Sequence, residues 1–412
     1  MKIGILTFHR SINYGAVTQC YALATEIKKR IPYSDVEVID YVPRFRKEKY
    51  IPSIKNYLFG SVNFEKSIPI NIKIVISQAI DLICHPKNLR LLKERYNAFS
   101  TSMESLPLSD EIYEDNDVES FRKKIYGKYD VIIVGSDCVW EWTTVPLPNA
   151  YYLCGDFGCK KMSYAASVGT DSYGQLSTEK KDILKKSIAD FDYVGVRDSS
   201  SEHVLKQLNL SNLRWHHNCD PTTFLDVSLL NEHKQRVNRR IKDLNLPSDK
   251  LLIAVMGSDR YGEIARKIFG DSAVYIALYV PNKNCDYEML DLTVLEWASC
   301  FSLFDMTFTT FFHGTMLSLA NQTPVFSFDY LPERENQVSK LRELYSRLSL
   351  EGFYHRVDGE ITMEEMEKLK KIANEFVAHP PKEEIAHALA KEAKTADSFF
   401  ERLIELQNRE NN

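Results

Sequence analysis

His313, Arg197 and Asp137 stand at the C-terminal ends of three apolar runs far apart in the chain: MTFTTF (306–311), VGV (194–196) and YDVIIVGS (129–136). Two more polar groups follow apolar runs in the same way, Asn13-Tyr14-Gly15 and Gly257-Ser258-Asp259-Arg260. Strand C-termini share one edge of a parallel sheet, and ligands of open α/β sheets bind in the crevice outside that edge. A histidine where a strand hands over to a helix also lies beside free N–H groups that attract anions. The chemistry indicated is an enzyme acting on a small phosphorylated anion, with His313 in the site. Each group has a structural alternative. Asn13-Tyr14-Gly15 reads equally as a turn, Gly135-Ser136-Asp137 as a helix cap, Arg197-Asp198 as a local ion pair, and His313 as a buried histidine bonded to a carbonyl.

The elements that must position these residues follow from periodicity. Met306–Phe311 is rich in Thr and Phe and reads as a strand. Thr315 is expected to cap a helix whose apolar positions are Met316, Leu317, Leu319 and Ala320. Gln322-Thr323-Pro324 ends it, and Val325–Phe328 restarts a strand within a stretch that runs to Tyr330. At the N-terminus, Lys2–Phe8 reads as a strand, His9–Gly15 as a polar loop, Ala16–Arg30 as a helix and Val36–Tyr41 as a second strand. This is a doubly wound opening. The expected organisation is a first α/β domain over 1–230 with a helical insertion over about 44–117, and a linker over 231–250. A second α/β domain covers 251–379, and helices over 380–412 reach back towards the first. Within the insertion, Asn71–Cys84 and Leu89–Phe99 read as helices. Arg44, Arg46, Lys47 and Lys49 form a basic cluster with Phe45 and Tyr50. That segment is either a solvated lid or a packing helix pair, or else a surface for an anionic lipid headgroup or diphosphate.

The chain of 412 residues is 44% hydrophobic and 26% charged, as expected of an ordinary globular protein with full cores. A formal net charge of −5 argues against nucleic-acid binding driven by global charge. Eight cysteines are scattered without a CxxC pair, so neither a zinc site nor a disulfide frame is expected. The first residues lack a signal-peptide pattern, and no apolar run reaches the roughly 18 residues of a membrane span. A cytoplasmic location is expected. Walker, GxGxxG, HExxH and GxSxG motifs are missing from the sequence.

Six pieces, in order, resemble the polysaccharide pyruvyl transferase family: TFHRSINYGAVTQCYAL (7–23), YDVIIVGSDCVW (129–140), KKMSYAASVG (160–169), VGVRDSSS (194–201), CDPT (219–222) and FFHGTMLSLANQTPV (311–325). The resemblance implies an α/β fold of two facing Rossmann-like domains, similar to the glycosyltransferase B architecture. It implies transfer of the carboxyethylidene group of phosphoenolpyruvate onto a sugar of a surface polysaccharide, giving a cyclic pyruvate ketal. Family acceptors are galactose, N-acetylglucosamine and N-acetylmannosamine. Phosphoenolpyruvate is then a co-substrate, and no cofactor or metal is expected. The acceptor is expected to be a prenyl-linked glycan, and the basic cluster and the Asn71–Cys84 helix to help the protein meet the membrane face. The histidine of the HG motif, His313, and Arg197 are expected to bind phosphoenolpyruvate by this resemblance. His313 suits the general acid, and Asp137 the base or the group that orients the acceptor. Gly314, Thr315, Asn13, Gly15, Ser136 and Arg260 complete the expected substrate-binding set.

The sequence departs from the family where relatives carry arginine two residues before the histidine: here stands Phe311. Arg260 is the expected substitute. Cys138 replaces the usual glutamine after GSD, and Thr18 and Cys20 replace Leu and Ala in the first helix. Two other readings remain open from the sequence: a B-type glycosyltransferase using a nucleotide sugar, and a non-catalytic glycan-binding protein.

Overall fold

The computed structural model describes the chain apart from residues 52, 60–67, 85–86, 170–171, 330–337, 358 and 411–412. Tyr330 and the side chains of Phe45, Lys49 and Tyr50 therefore lie outside the described residues. The first half forms β1 (Lys2–Leu6), α1 (Tyr14–Arg30), β2 (Asp35–Val38), α2 (Arg44–Tyr50), α3 (Ile54–Phe59), α4 (Ile68–Cys84) and α5 (Lys87–Ser102). It continues through α6 (Val118–Ile125), β3 (Val131–Asp137), β4 (Lys160–Ala166), α7 (Thr178–Ala189), β5 (Tyr193–Val196), α8 (Ser199–Gln207) and β6 (Trp215–His217). After α9 (Asn231–Asp243) come β7 (Leu251–Met256), α10 (Asp259–Phe269), β8 (Ala273–Leu278), β9 (Tyr287–Met289), α11 (Val294–Ser299), β10 (Met306–Thr309), α12 (Phe312–Ala320) and β11 (Val325–Asp329). The chain ends with α13 (Lys340–Leu348), β12 (Tyr354–Arg356), α14 (Met363–Ala378), α15 (Lys382–Ala393) and α16 (Asp397–Glu410).

The strands make two six-stranded parallel sheets, ordered β2-β1-β3-β4-β5-β6 and β12-β11-β10-β7-β8-β9. Helices on both faces bury most of each central strand, and all seven residues of β3 are buried. That double burial is why the central strands read as continuous apolar runs. Each fully buried Val, Ile or Leu there contributes about 1.5–3 kcal/mol against exposure. In the first sheet the strand order reverses between β1 and β3; in the second it reverses between β7 and β10. The two crevices therefore open beside the C-terminal ends of these four strands. These ends carry or lead into Asn13, Asp137, Arg260 and His313.

Two helix starts differ from expectation. α1 begins at Tyr14, because the Asn13 side chain accepts from the N–H groups of Gly15 and Ala16 and caps it. α12 begins at Phe312 with Phe311 as its cap residue and no side-chain cap. Thr315 is thus inside the helix, its hydroxyl 2.6 Å from that of Ser327, and does not cap it. At the other end of the chain, a 3₁₀ turn over Lys394–Ala396 separates α15 from α16. Phe399 of α16 packs edge-on against Tyr164 and Tyr193 of the first sheet, at 4.7 and 5.5 Å. Among the described residues, no helix is long and apolar enough to cross a membrane.

The insertion does not present the Arg44–Lys49 cluster as one open patch. Arg46 is buried; it donates to Ser11 at 3.0 Å and lies 4.0 Å over the Phe8 ring. Lys47 pairs with Glu114.

Candidate functional site

His313 is the second residue of α12, and its ring is pressed against the first turn of α1. A Cβ built on Gly15 would fall 2.1 Å from His313 Nδ1 and 2.2 Å from Cγ. Only glycine permits that approach, so Gly15 joins the two domains at the histidine. His313 is 9% exposed, and its Nε2 is buried without a hydrogen-bond partner. The nearest acid is Asp220, whose Oδ2 lies 3.6 Å from Nε2. An orphaned, buried ring nitrogen at the mouth of two crevices can give or take a proton from a ligand.

Arg197 extends from the end of β5 into the same place and is 4% exposed. Its Nη1 donates to Asp220 Oδ2 at 2.7 Å, and its Nη2 lies 3.5 Å from Asp137 Oδ1. The guanidinium also lies 4.9 Å over the Phe312 ring. Asp198 is not its partner, contrary to the local ion-pair alternative: Asp198 accepts from the Ser201 N–H and caps α8. Burial would raise the Asp220 carboxyl, but His313, Arg197 and the Thr222 hydroxyl outweigh it and hold the group far below the usual carboxylate range. Asp137 is treated alike: burial pushes it up, and Arg197, His313 and Lys340 pull it lower. Both carboxylates are therefore ionised. A depressed carboxylate is a feeble base, so Asp137 is better suited to orienting a hydroxyl or a cation. Its backbone has φ +78°, an uncommon conformation for a non-glycine residue that aims the side chain off the strand end.

Lys340, at the start of α13, donates to Cys138 Sγ at 2.8 Å. Burial pushes the Cys138 thiol up. Lys340 brings a second cation beside Arg197 and Asp137. Phe311 itself packs edge-on against Tyr279 at 5.4 Å, and the Arg95 guanidinium covers Tyr279 at 3.8 Å. The place of the expected arginine is thus an aromatic cluster, with the Arg95 guanidinium of α5 over its Tyr279.

The remaining expected residues divide. Asn13 is exposed and its side chain is occupied as the α1 cap. Ser136 is fully buried; its N–H donates to Gln19 Oε1 at 3.2 Å, and its carbonyl accepts from Thr7 at 3.0 Å. It ties β3 to β1 and α1. Gly314 lets α12 sit on the sheet, since a Cβ there would fall 2.6 Å from Thr309 Oγ1. Arg260 is half-buried in the first turn of α10; among the described residues no hydrogen bond or ion pair joins it to His313, Arg197 or Asp220. Sequence reasoning did not single out Asp220, Lys340 or Arg95 for the site. Asp220 lay within the CDPT piece that carried the resemblance; nothing in the sequence pointed to Lys340. Among the described residues no three His, Cys, Asp or Glu side chains gather as metal ligands.

The chain is similar in fold to UDP-GlcNAc 2-epimerase from Neisseria meningitidis, solved with UDP-GlcNAc bound. The TM-score is 0.52 at 10% identity, over 98% of this chain and 100% of that one. It is equally similar to UDP-GlcNAc 2-epimerase from Methanocaldococcus jannaschii, with TM-score 0.52 and 10% identity over 97% and 100%. These likenesses show a two-domain Rossmann-like architecture of the glycosyltransferase B kind. No curated protein sequence matches the chain. The model of the polysaccharide pyruvyl transferase family matches residues 13–332, which span Asn13, Asp137, Arg197, Asp220 and His313. The chain belongs to the polysaccharide pyruvyl transferase family.

Proposed function

We propose that the protein transfers the carboxyethylidene group of phosphoenolpyruvate to two hydroxyls of one sugar in a polysaccharide precursor. The observation that carries this reading is His313 Nε2, buried without a hydrogen bond and 3.6 Å from Asp220 Oδ2, beside Arg197 where the two crevices meet. In the reaction, one sugar hydroxyl attacks the carbon bearing the phosphate while the methylene carbon takes a proton. The second hydroxyl then displaces phosphate. Of the two hydroxyl protons, one is balanced by the new methyl group and the other leaves with phosphate. His313 delivers the proton to carbon. Arg197 meets the anion with Nη2, whose long contacts to Asp137 at 3.5 Å and Cys138 Sγ at 3.8 Å are weak claims on that nitrogen. Lys340 supplies the charge that relatives place at the position of Phe311, and Asp137 orients the acceptor. The first helical turn of α12, without a side-chain cap, adds N–H donors. This chemistry uses no cofactor and no metal. Phosphoenolpyruvate as donor places the reaction in the cytoplasm, and a prenyl-linked glycan is the expected acceptor.

The test is phosphate release from phosphoenolpyruvate with a panel of prenyl-linked and synthetic glycosides, with and without a chelator. Acceptor-dependent, chelator-insensitive release is expected, and Lys340→Met should raise the half-saturating phosphoenolpyruvate concentration about tenfold. Turnover of a nucleotide sugar with no response to phosphoenolpyruvate would overturn the reading. In the same assay, Gly15→Ala should lower turnover by about 10²-fold, because the new methyl must displace the imidazole. Turnover close to that of the unaltered protein would show that His313 has room to move without loss.

A further inference from the structure

The helical insertion differs in charge from the rest of the chain. Residues 44–102 carry eleven Lys and Arg against four Asp and Glu, a balance of +7 in a chain whose formal net charge is −5. Within it, α4 exposes Ile72, Ile76, Ile80 and Ile83, each by more than half and Ile83 by 80%. Their spacing of four, four and three puts them on one side of the helix. Val75 and Leu82 are half-buried. Exposed Lys73 borders the stripe, and exposed Lys55 and Lys93 lie on the flanking helices α3 and α5. At 1.5 Å per residue α4 is about 25 Å long, too short to span a hydrocarbon core of roughly 30 Å. An isoleucine face beside cations suits a helix lying in the headgroup boundary, with apolar side chains in the acyl region and amines on lipid phosphates.

We infer that α4 is a membrane-docking helix that seats the protein on an anionic lipid surface. A second copy of the chain is a poorer occupant, because two surfaces of this basic insertion would repel each other, whereas anionic headgroups complement them. The position relative to the site is apt. From α5, which follows α4, Phe99 stacks on Tyr14 at 6.2 Å and Arg95 covers Tyr279. Tyr14 adjoins Gly15, which touches His313. Docking through α4 would thus hold the crevice at a fixed attitude to lipid.

The full-length protein should co-sediment with vesicles of phosphatidylcholine containing phosphatidylglycerol, and not with phosphatidylcholine alone, and added salt should weaken the binding. The double variant Ile76→Asp and Ile80→Asp should lower the partition coefficient about tenfold with unchanged circular dichroism and melting. Ile83→Asp, at the most exposed position, gives a second reading with less risk to the fold. Equal sedimentation of unaltered protein and Ile83→Asp would overturn the inference. So would a concentration-dependent dimer in light scattering that Ile83→Asp disperses while vesicle binding is lacking. The measurement needs neither donor nor acceptor, so it stands or falls separately from the proposed reaction.

Discussion

His313→Ala should lower acceptor-dependent phosphate release by about 10²- to 10⁴-fold, the usual contribution of a positioned general acid. The fold should survive. His313 accepts no hydrogen bond at Nε2 in the structure, and Asp220 keeps its strong partner, Arg197, at 2.7 Å. The ring fills a gap beside Gly15, so its loss leaves a cavity between α1 and α12 and a modest fall in melting temperature. His313→Gln separates proton transfer from binding: it retains hydrogen-bonding groups but cannot exchange a proton near neutral pH. Turnover should fall as in the alanine variant, with a smaller change in half-saturating phosphoenolpyruvate. If His313→Gln released phosphate at the original rate, the histidine would be a binding or packing group and another residue would be the acid.

Arg197→Ala should have the second large effect, on stability as well as on binding. The guanidinium is buried between Asp220 and Asp137, and its removal leaves two buried carboxylates with one less cation. Breaking a buried pair from one side typically costs about 3–5 kcal/mol. The consequence depends on pH in a defined direction. Both carboxyls are lowered in the folded protein. Their contribution is present above the unfolded carboxylate value of about 3.9 and is lost as pH falls through the lower folded values. In Arg197→Ala both carboxyls rise. The variant should therefore be most destabilised near neutral pH, and the gap in melting temperature should narrow on acidification towards pH ~4. Arg197→Lys keeps a charge but not the fork, so it should recover part of the melting temperature while still requiring more phosphoenolpyruvate. A gap in melting temperature that does not change with pH would mean that Arg197 stabilises through packing on Phe312, at 4.9 Å, and not through its carboxylates.

These expectations also mark how far the sequence could be read. β1, β3, β10 and β11 were legible to within about two residues, because a strand buried on both faces must be apolar along most of its length. His313 was legible as a residue at a strand-to-helix junction for the same local reason. The start of α12 was not: Phe311 caps it without a side-chain bond, so the signal that pointed to Thr315 was an ordinary buried threonine. Ser136 looked available after an apolar run, and only its bond to Gln19 on α1 shows that it is occupied. The absence of arginine at Phe311 was plain in the sequence, whereas the arrival of Lys340 near Cys138, some two hundred positions earlier, was not.

By itself the sequence determined a doubly wound opening and a second α/β stretch, the strand ends that carry polar residues, the +7 insertion and the family motifs. Periodicity and composition are short-range properties, set by which face of each segment must leave water. The tertiary structure alone decided which strand ends meet. It set Gly15 against His313, brought Arg197 between Asp137 and Asp220, and placed Lys340 at Cys138. Those partnerships follow from strand order and from how two sheets face each other. No pattern within one segment records either.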